Sequence, residues 1–294
     1  MTTLLMTDPG ERAARLECWK GDVAPEPLGG GITNVNFTVD DAGERYVVRI
    51  GEDIPVHGVY RMNELAAARA AHAAGISPEI VHAEPGALVM RWVDGHTLDP
   101  ASVRDPVRLE RVLETVGRCH RDIPAHFRGA TPMFWVFQVV RDYARTLRED
   151  GSRMAGRLDD LLGRAAHLES VVGPVEIVFG HNDLLAANFI DDGERIWLID
   201  WEYAGFNSPL FDLGGLASNN EMDADQERWM MECYLGAAPG EAMLASYAAM
   251  KCASLLREAM WSMVSERHSA IDFDYVAYTE ENLERFERAW AAAR

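Results

Sequence analysis

The stretch FGHNDLLAANFIDDGERIWLIDWEYAGFNSPLFDLGGLASNN, residues 179 to 220, decides how the rest of the chain is read. It sets His181, Asp183, Asn188 and Asp200 on a strand, loop, strand, turn, strand frame. Val175 to Phe179 has the β-prone, apolar character of a buried strand, and Gly180 lets the chain turn sharply out of it. Phe189 to Asp191 and Arg195 to Ile199 are two further such runs, joined through Asp192-Gly193, a dipeptide that tolerates the positive φ of a tight hairpin. That hairpin returns Asn188, before its first strand, and Asp200, after its second, to one edge of a small sheet. His181 and Asp183 lie in the loop beside them.

Two carboxylates and a carboxamide at one edge suit Mg²⁺, which takes one or two carboxylates, keeps several waters and shares substrate phosphates. The spacing H-x-D-x-x-x-x-N, here His181 to Asn188, is that of kinase-type phosphoryl transfer, in which the Asp accepts a hydroxyl proton and the Asn holds metal. Asp183 is therefore the expected base, with Asn188 and Asp200 as metal ligands. Taken singly, an Asp-Gly turn, a loop histidine or an acid at a strand end is usually structural. The ordered set carries the reading.

With HNDLLAANFI followed by IDWEYAGFNSPLFDLG, the chain resembles the small-molecule kinases of the aminoglycoside phosphotransferase and choline kinase group, and within it the choline and ethanolamine kinase branch, including the bacterial choline kinases. The resemblance covers most of the chain. It implies an α+β, bilobal, protein-kinase-like fold, with a small β-rich N-lobe over residues 1–94 and a larger, mainly helical C-lobe over 95–294. It also implies that His181 braces the catalytic loop and that Asp212, in the segment FDL, anchors that loop from the following helix.

Outward from this centre, composition sets the class. The 294 residues are 48% hydrophobic and carry a formal net charge of −19. An ample core is assured, and no basic stripe exists to meet nucleic acid. No apolar run approaches the ~18 residues of a membrane span. The start MTTLLMTDPGERAAR is broken by Asp8, Pro9 and Glu11 before a signal-peptide core develops, so the cytoplasm is the expected compartment. Cys18, Cys119, Cys233 and Cys252 are dispersed, as reduced structural thiols would be.

Residues 11 to 20 read as a short amphipathic helix. Gly29, Gly30 and Gly31 then stand, with Asn34, at the mouth of a hairpin formed by Ile32 to Val39 and Tyr46 to Ile50 around Asp40 to Gly43. In a kinase-like fold that position covers the nucleotide phosphates, where backbone N–H groups approach closely. Arg49 lies on the second strand, and Glu64 on an Ala-rich helix from about Tyr60 to Ala74 that Gly75 stops. The two would form the ion pair that aims the cation at the phosphates. Glu79 to Ala83 and Ala87 to Trp92 make another hairpin. The resemblance makes the segment after it the interlobe hinge, with backbone groups near Met90 and Val93 on adenine.

Beyond the hinge the pattern is helical. Asp105-Pro106 is an N-cap followed by proline, opening a helix to about Cys119. Helices follow over Trp135 to Glu149, Arg153 to Val171, Asp225 to Leu235, Glu241 to Arg267 and Phe273 to Ala292.

For the acceptor, the resemblance matches Trp261 and Tyr275 to aromatic residues of a choline cage, where each cation-π contact contributes ~0.5 to 2 kcal/mol. One departure stands out: three residues before Trp261, where eukaryotic relatives have a second tryptophan, this chain has Glu258. Glu202 and Asn219 are further acceptor candidates. The expected activity is ATP- and Mg²⁺-dependent phosphorylation of a small cationic alcohol, choline first and ethanolamine second. An aminoglycoside-type kinase on the same fold is the near rival, and a non-catalytic nucleotide-binding pseudokinase the rival from another class. A protein kinase fits less well, because Trp201-Glu202 replaces the Phe-Gly of DFG and the interval to Asp212 leaves no room for an activation loop.

Overall fold

Alternation along Val35–Asp41 turns Phe37, Val39 and Asp41 inward, and a two-residue turn with Ala42 at φ 52° and Gly43 at φ 85° returns the chain antiparallel. The computed structural model describes residues 8–29, 33–269, 271 and 273–292. Five antiparallel strands, β1 (Glu26–Leu28), β2 (Val35–Asp41), β3 (Glu44–Ile50), β4 (Ile80–Glu84) and β5 (Ala87–Arg91), lie in the order β1-β2-β3-β5-β4. The Arg61–Ala73 helix joins this sheet to the rest. It buries Ala67, Ala68, Ala70 and Ala71, whose small side chains admit the Pro106–His126 helix.

A second part of the molecule is mainly helical. The Glu241–His268 helix packs against the Val136–Glu149, Leu158–Val172, Pro209–Asn219 and Tyr275–Ala292 helices. Its middle, from Cys252 to Ser265, is buried almost all round, as a central helix must be. Two small sheets accompany this bundle. One pairs β6 (His96–Thr97), β8 (Phe189–Asp191) and β9 (Ile196–Leu198) in the order β6-β8-β9, and the other pairs β7 (Val178–Gly180) with β10 (Gly205–Asn207). No helix among the described residues is long and apolar enough to cross a membrane.

Several boundaries differ from the sequence expectation. The first helix is Pro9–Ala14, not 11 to 20: Asp8 caps it ahead of Pro9, and Trp19 Nε1 takes the Ala13 carbonyl at 2.8 Å beyond its end. The strand expected over Val175 to Phe179 begins at Val178, because its partner β10 has only three residues to offer. The helix capped by Asp105 continues past Cys119 to His126 and passes through Pro124. The helix expected from Arg153 starts at Leu158, after a 3₁₀ turn at Ala155–Arg157. Of the glycine run, Gly30 and Gly31 lie outside the described residues, as does Ile32.

A buried histidine is among the links between the two parts. Between β3 and the Arg61–Ala73 helix, a 3₁₀ turn at Pro55–His57 pushes His57 toward the bundle. Its Nδ1 meets the Tyr143 hydroxyl at 3.0 Å, its Nε2 meets Ser265 Oγ at 3.1 Å, and its ring stacks on Trp261 with 5.0 Å between centroids. Burial and the nearby Arg257 charge push the His57 pKa down to about 3, so the ring is neutral.

Candidate active site

The loop after β7 is held from behind by one carboxylate. Asp212, buried on the Pro209–Asn219 helix, accepts the backbone N–H groups of His181 at 2.8 Å and Asn182 at 2.7 Å, and the His120 imidazole at 2.9 Å. Burial alone would raise its pKa, but the His120 hydrogen bond and the surrounding charges outweigh it, so Asp212 stays ionised. Gly180 is required here because a Cβ would meet Asn182 Oδ1 at 2.7 Å. Asn182 itself takes φ 67°, steadied by donating to the Tyr203 carbonyl at 2.9 Å.

His181 is fully buried, and its Nε2 donates to the Ile199 carbonyl at 2.9 Å. Burial lowers its pKa. A neutral ring bonded to the Ile199 carbonyl, next to Asp200, ties the loop to the end of the β8-β9 hairpin. Asp183, two residues on, lines a pocket. Burial, opposed by Arg257 and reinforced by Glu258, Asp200 and Glu202, raises its pKa well above the ordinary carboxylate range.

The β8-β9 hairpin closes as its Asp-Gly turn requires, with Gly193 at φ 91°. Asn188 Nδ2 donates to the Asp183 backbone carbonyl at 2.9 Å, which leaves the carboxamide oxygen unengaged in that bond. Asp200, beyond β9, sits at φ 70°. Its Oδ2 meets Arg49 Nη2 at 2.6 Å, while Oδ1 is buried with no partner. Burial raises the Asp200 pKa less than the Arg49 charge and hydrogen bond lower it, so the carboxylate is ionised. Arg49 in turn is bonded directly to Glu64. Among the described residues no three His, Cys, Asp or Glu side chains form a metal cluster. Asn188 and Asp200 instead present oxygen donors to one cleft, with one Asp200 carboxylate oxygen buried and unpartnered, and oxygen donors of this kind fit Mg²⁺.

A cleft of about 280 Å³ runs over this set, lined among others by Gly29, Arg49, Met90, Val93, Asn188 and Asp200. Asn34 is not on it; its Nδ2 donates to Thr33 Oγ1 at 3.0 Å. A separate small pocket is lined among others by Asp183, Ser218, Asn219, Ser254, Arg257 and Glu258, with Phe211 its one aromatic residue. Glu258 accepts the Tyr278 hydroxyl at 2.9 Å and Arg257 Nη1 at 3.0 Å.

Trp261 and Tyr275 do come together, with 6.1 Å between ring centroids, but neither lines that pocket. Trp261 is 4% exposed and donates Nε1 to the Tyr203 hydroxyl at 2.9 Å. Glu202 departs furthest from expectation. The chain turns after Asp200, and the Glu202 carboxylate accepts from Thr33 Oγ1 at 3.0 Å and Arg61 Nη1 at 3.1 Å, away from the acceptor pocket. Burial, reinforced by Asp200, pushes its pKa up to about 7.

Arg61 went unread in the sequence, although it stands three residues before Glu64 on the same helix face. Its Nη1 also donates to Glu64 Oε2 at 2.7 Å, its Nη2 to the Thr33 carbonyl at 3.3 Å and its Nε to the Glu52 carbonyl at 3.0 Å. One guanidinium therefore ties the segment after the glycines, the Glu64 helix and Glu202 together. Arg61→Met leaves buried Glu202 with the Thr33 hydroxyl but without this cation, while Glu64 keeps Arg49, and breaking a buried pair costs about 3–5 kcal/mol. A matching fall in urea-unfolding free energy is expected; a variant as stable as the parent would make the cluster incidental.

Comparison with known proteins places these features in context. The family model described as phosphotransferase enzyme family matches residues 25–252, more than half of the chain. A probable ethanolamine kinase of Arabidopsis thaliana is 26% identical over 287 residues, covering 86% of this chain and 76% of the relative. The crystal structure of a choline/ethanolamine kinase family protein from Mesorhizobium loti superposes with a TM-score of 0.76 at 28% identity, covering 97% of both chains. A Plasmodium vivax ethanolamine kinase gives a TM-score of 0.78 at 18% identity, covering 98% of this chain and 87% of the other. The α+β, protein-kinase-like architecture expected from the sequence is the fold of this chain.

Proposed function

We propose, from the premise that this chain belongs to the phosphotransferase enzyme family, that it moves the γ-phosphoryl group of ATP to the hydroxyl of a small amino alcohol. The observation that carries this is that Asp183 lines a small polar pocket while Asn188, bonded to the Asp183 carbonyl at 2.9 Å, lines the cleft together with Asp200 and Arg49. Residues 1–94 would form the nucleotide-binding lobe, and residues 95–294 the lobe that bears the base and the acceptor pocket.

In this reading the hydroxyl of the acceptor donates to Asp183, which takes its proton as the new P–O bond forms. Arg49, held by Glu64, lies against the phosphates and offsets their charge. Gly29, which lines the cleft, covers them, and Met90 and Val93 border the adenine. Asn188 and Asp200 would hold Mg²⁺, which supplies charge neutralisation at the phosphates. Positioning and fixed charge do most of the work, as in phosphoryl transfer generally.

The acceptor's nitrogen is assigned to Glu258, with Asn219 beside it and Trp261, Tyr275 and Tyr278 packed behind. A carboxylate rewards N–H donors, and the aromatic rings are engaged with one another and with Tyr203 and His57. A primary ammonium is therefore favoured over a quaternary one, which places ethanolamine ahead of choline. ADP release should show the higher kcat/KM with ethanolamine, and Glu258→Gln should raise its KM by about 10- to 100-fold, the ~1.5–3 kcal/mol of a hydrogen bond to a charged group. Turnover of kanamycin with none of any amino alcohol would overturn the reading.

A further inference from the structure

Arg257 has no role in the scheme above, yet it lines the pocket beside Asp183. It is 4% exposed, and two of its three nitrogens, Nε and Nη2, are buried without a hydrogen-bond partner. Its one bond in the pocket goes from Nη1 to the neighbouring Glu258 at 3.0 Å. The guanidinium rests over the Tyr203 ring, 4.4 Å from the centroid, and near Phe134 at 5.6 Å. Aromatic faces steady a cation, but they do not replace two lost N–H bonds, and unpaired buried donors on a charged group are costly. Such a group calls for an explanation, and a ligand oxygen is one.

The neighbours narrow the choice. Glu258, 23% exposed in its side chain, supplies a carboxylate next to the guanidinium, so the pocket wall presents one positive and one negative group side by side. That pair is complementary to a zwitterion. An ammonium would take Glu258 and a carboxylate would take Arg257, each replacing part of the internal Arg-Glu bond, while a hydroxyl on the same skeleton meets Asp183. A planar guanidinium with free N–H groups matches a carboxylate, bidentately where the geometry allows.

We propose that Arg257 is an acceptor-specificity residue and that the acceptor is a hydroxy-α-amino acid, an amino alcohol with a carboxylate on the carbon that bears the nitrogen. The proposal rests on the amino-alcohol reading and narrows it. In the reaction the bond from the γ-phosphorus to the ADP oxygen breaks, a bond from that phosphorus to the side-chain hydroxyl oxygen forms, and the hydroxyl proton passes to Asp183. The products are ADP and an O-phosphoamino acid.

Matched pairs that differ only by the carboxylate provide the test: L-serine against ethanolamine, L-threonine against 1-aminopropan-2-ol, and L-homoserine against 3-aminopropan-1-ol, each followed by ADP release with Mg·ATP. In the wild-type enzyme at least one amino acid should exceed its decarboxylated partner tenfold or more in kcat/KM. A site built around a charged hydrogen bond rejects the analogue that lacks the group. Arg257→Met should bring that ratio toward one through KM of the amino acid, and Arg257→Lys should restore part of it. Should Arg257→Met fail to fold, the Lys variant and the wild-type ratios decide. Amino alcohols that match or beat their amino acids in all three pairs overturn the carboxylate assignment and leave the amino-alcohol reading standing. A preference that survives intact in Arg257→Met overturns the role of this residue. Turnover of none of the six compounds overturns both.

Discussion

Asp183→Asn is expected to lose turnover by about 10²- to 10⁴-fold, the usual contribution of a positioned general base, while still binding Mg·ATP. The substitution keeps size and hydrogen-bonding reach but removes the proton acceptor. It leaves the groups assigned to the metal and phosphates untouched, because the loop's internal bonds run through the Asp183 backbone: its carbonyl accepts from Asn188 Nδ2 at 2.9 Å and from the Leu185 N–H at 3.0 Å. Asp212 goes on holding the His181 and Asn182 amides. Calorimetry should therefore report a nucleotide affinity near that of the parent, and single-turnover ADP formation should report the loss. Retention of more than about a tenth of the parent kcat corresponds to less than ~1.4 kcal/mol of barrier and would remove Asp183 from the role of base.

The second large effect belongs to Asp200→Ala. Any ligand that binds only the folded state stabilises it, by ≈ 2.7 kcal/mol at a hundredfold excess over Kd. In the parent, Mg·ATP should raise the thermal midpoint on that scale. Removing the Asp200 carboxylate takes away an expected metal ligand and also the partner that meets Arg49 Nη2 at 2.6 Å. Glu64 remains bonded to the same arginine, so Arg49 is not left unpaired and the chain should fold. The shift with Mg·ATP should vanish in this variant at ligand concentrations that saturate the parent. An undiminished shift in scanning fluorimetry would place the metal elsewhere.

Much of this was legible in residues 179 to 220 because the relevant distances are short along the chain. Asn188 and Asp200 are brought together by one hairpin, and an Asp-Gly turn announces it. The Arg49 and Glu64 contact was legible because a strand followed by a helix brings them face to face. Glu202 misled for a local reason: strand alternation would leave it on the same side as Asp200, but Asp200 takes φ 70° and the alternation ends there. Trp261 misled for a distant one. A match to an aromatic cage carries no information about packing, and here packing is set by His57, some two hundred positions earlier in the chain. Arg61 and Arg257 passed unnoticed because arginines on helices are ordinarily solvated. Their burial depends on carboxylates and rings from other parts of the molecule.

The turn that carries His57 has a thermodynamic meaning. It lies in the span between the strand that bears Arg49 and the helix that bears Glu64, and its ring is seated against Trp261, Tyr143 and Ser265 in the other half of the molecule. A swing of one half against the other would have to draw a neutral imidazole out of that seat and leave its two polar contacts unmade. The span thus behaves as a strut rather than a tether.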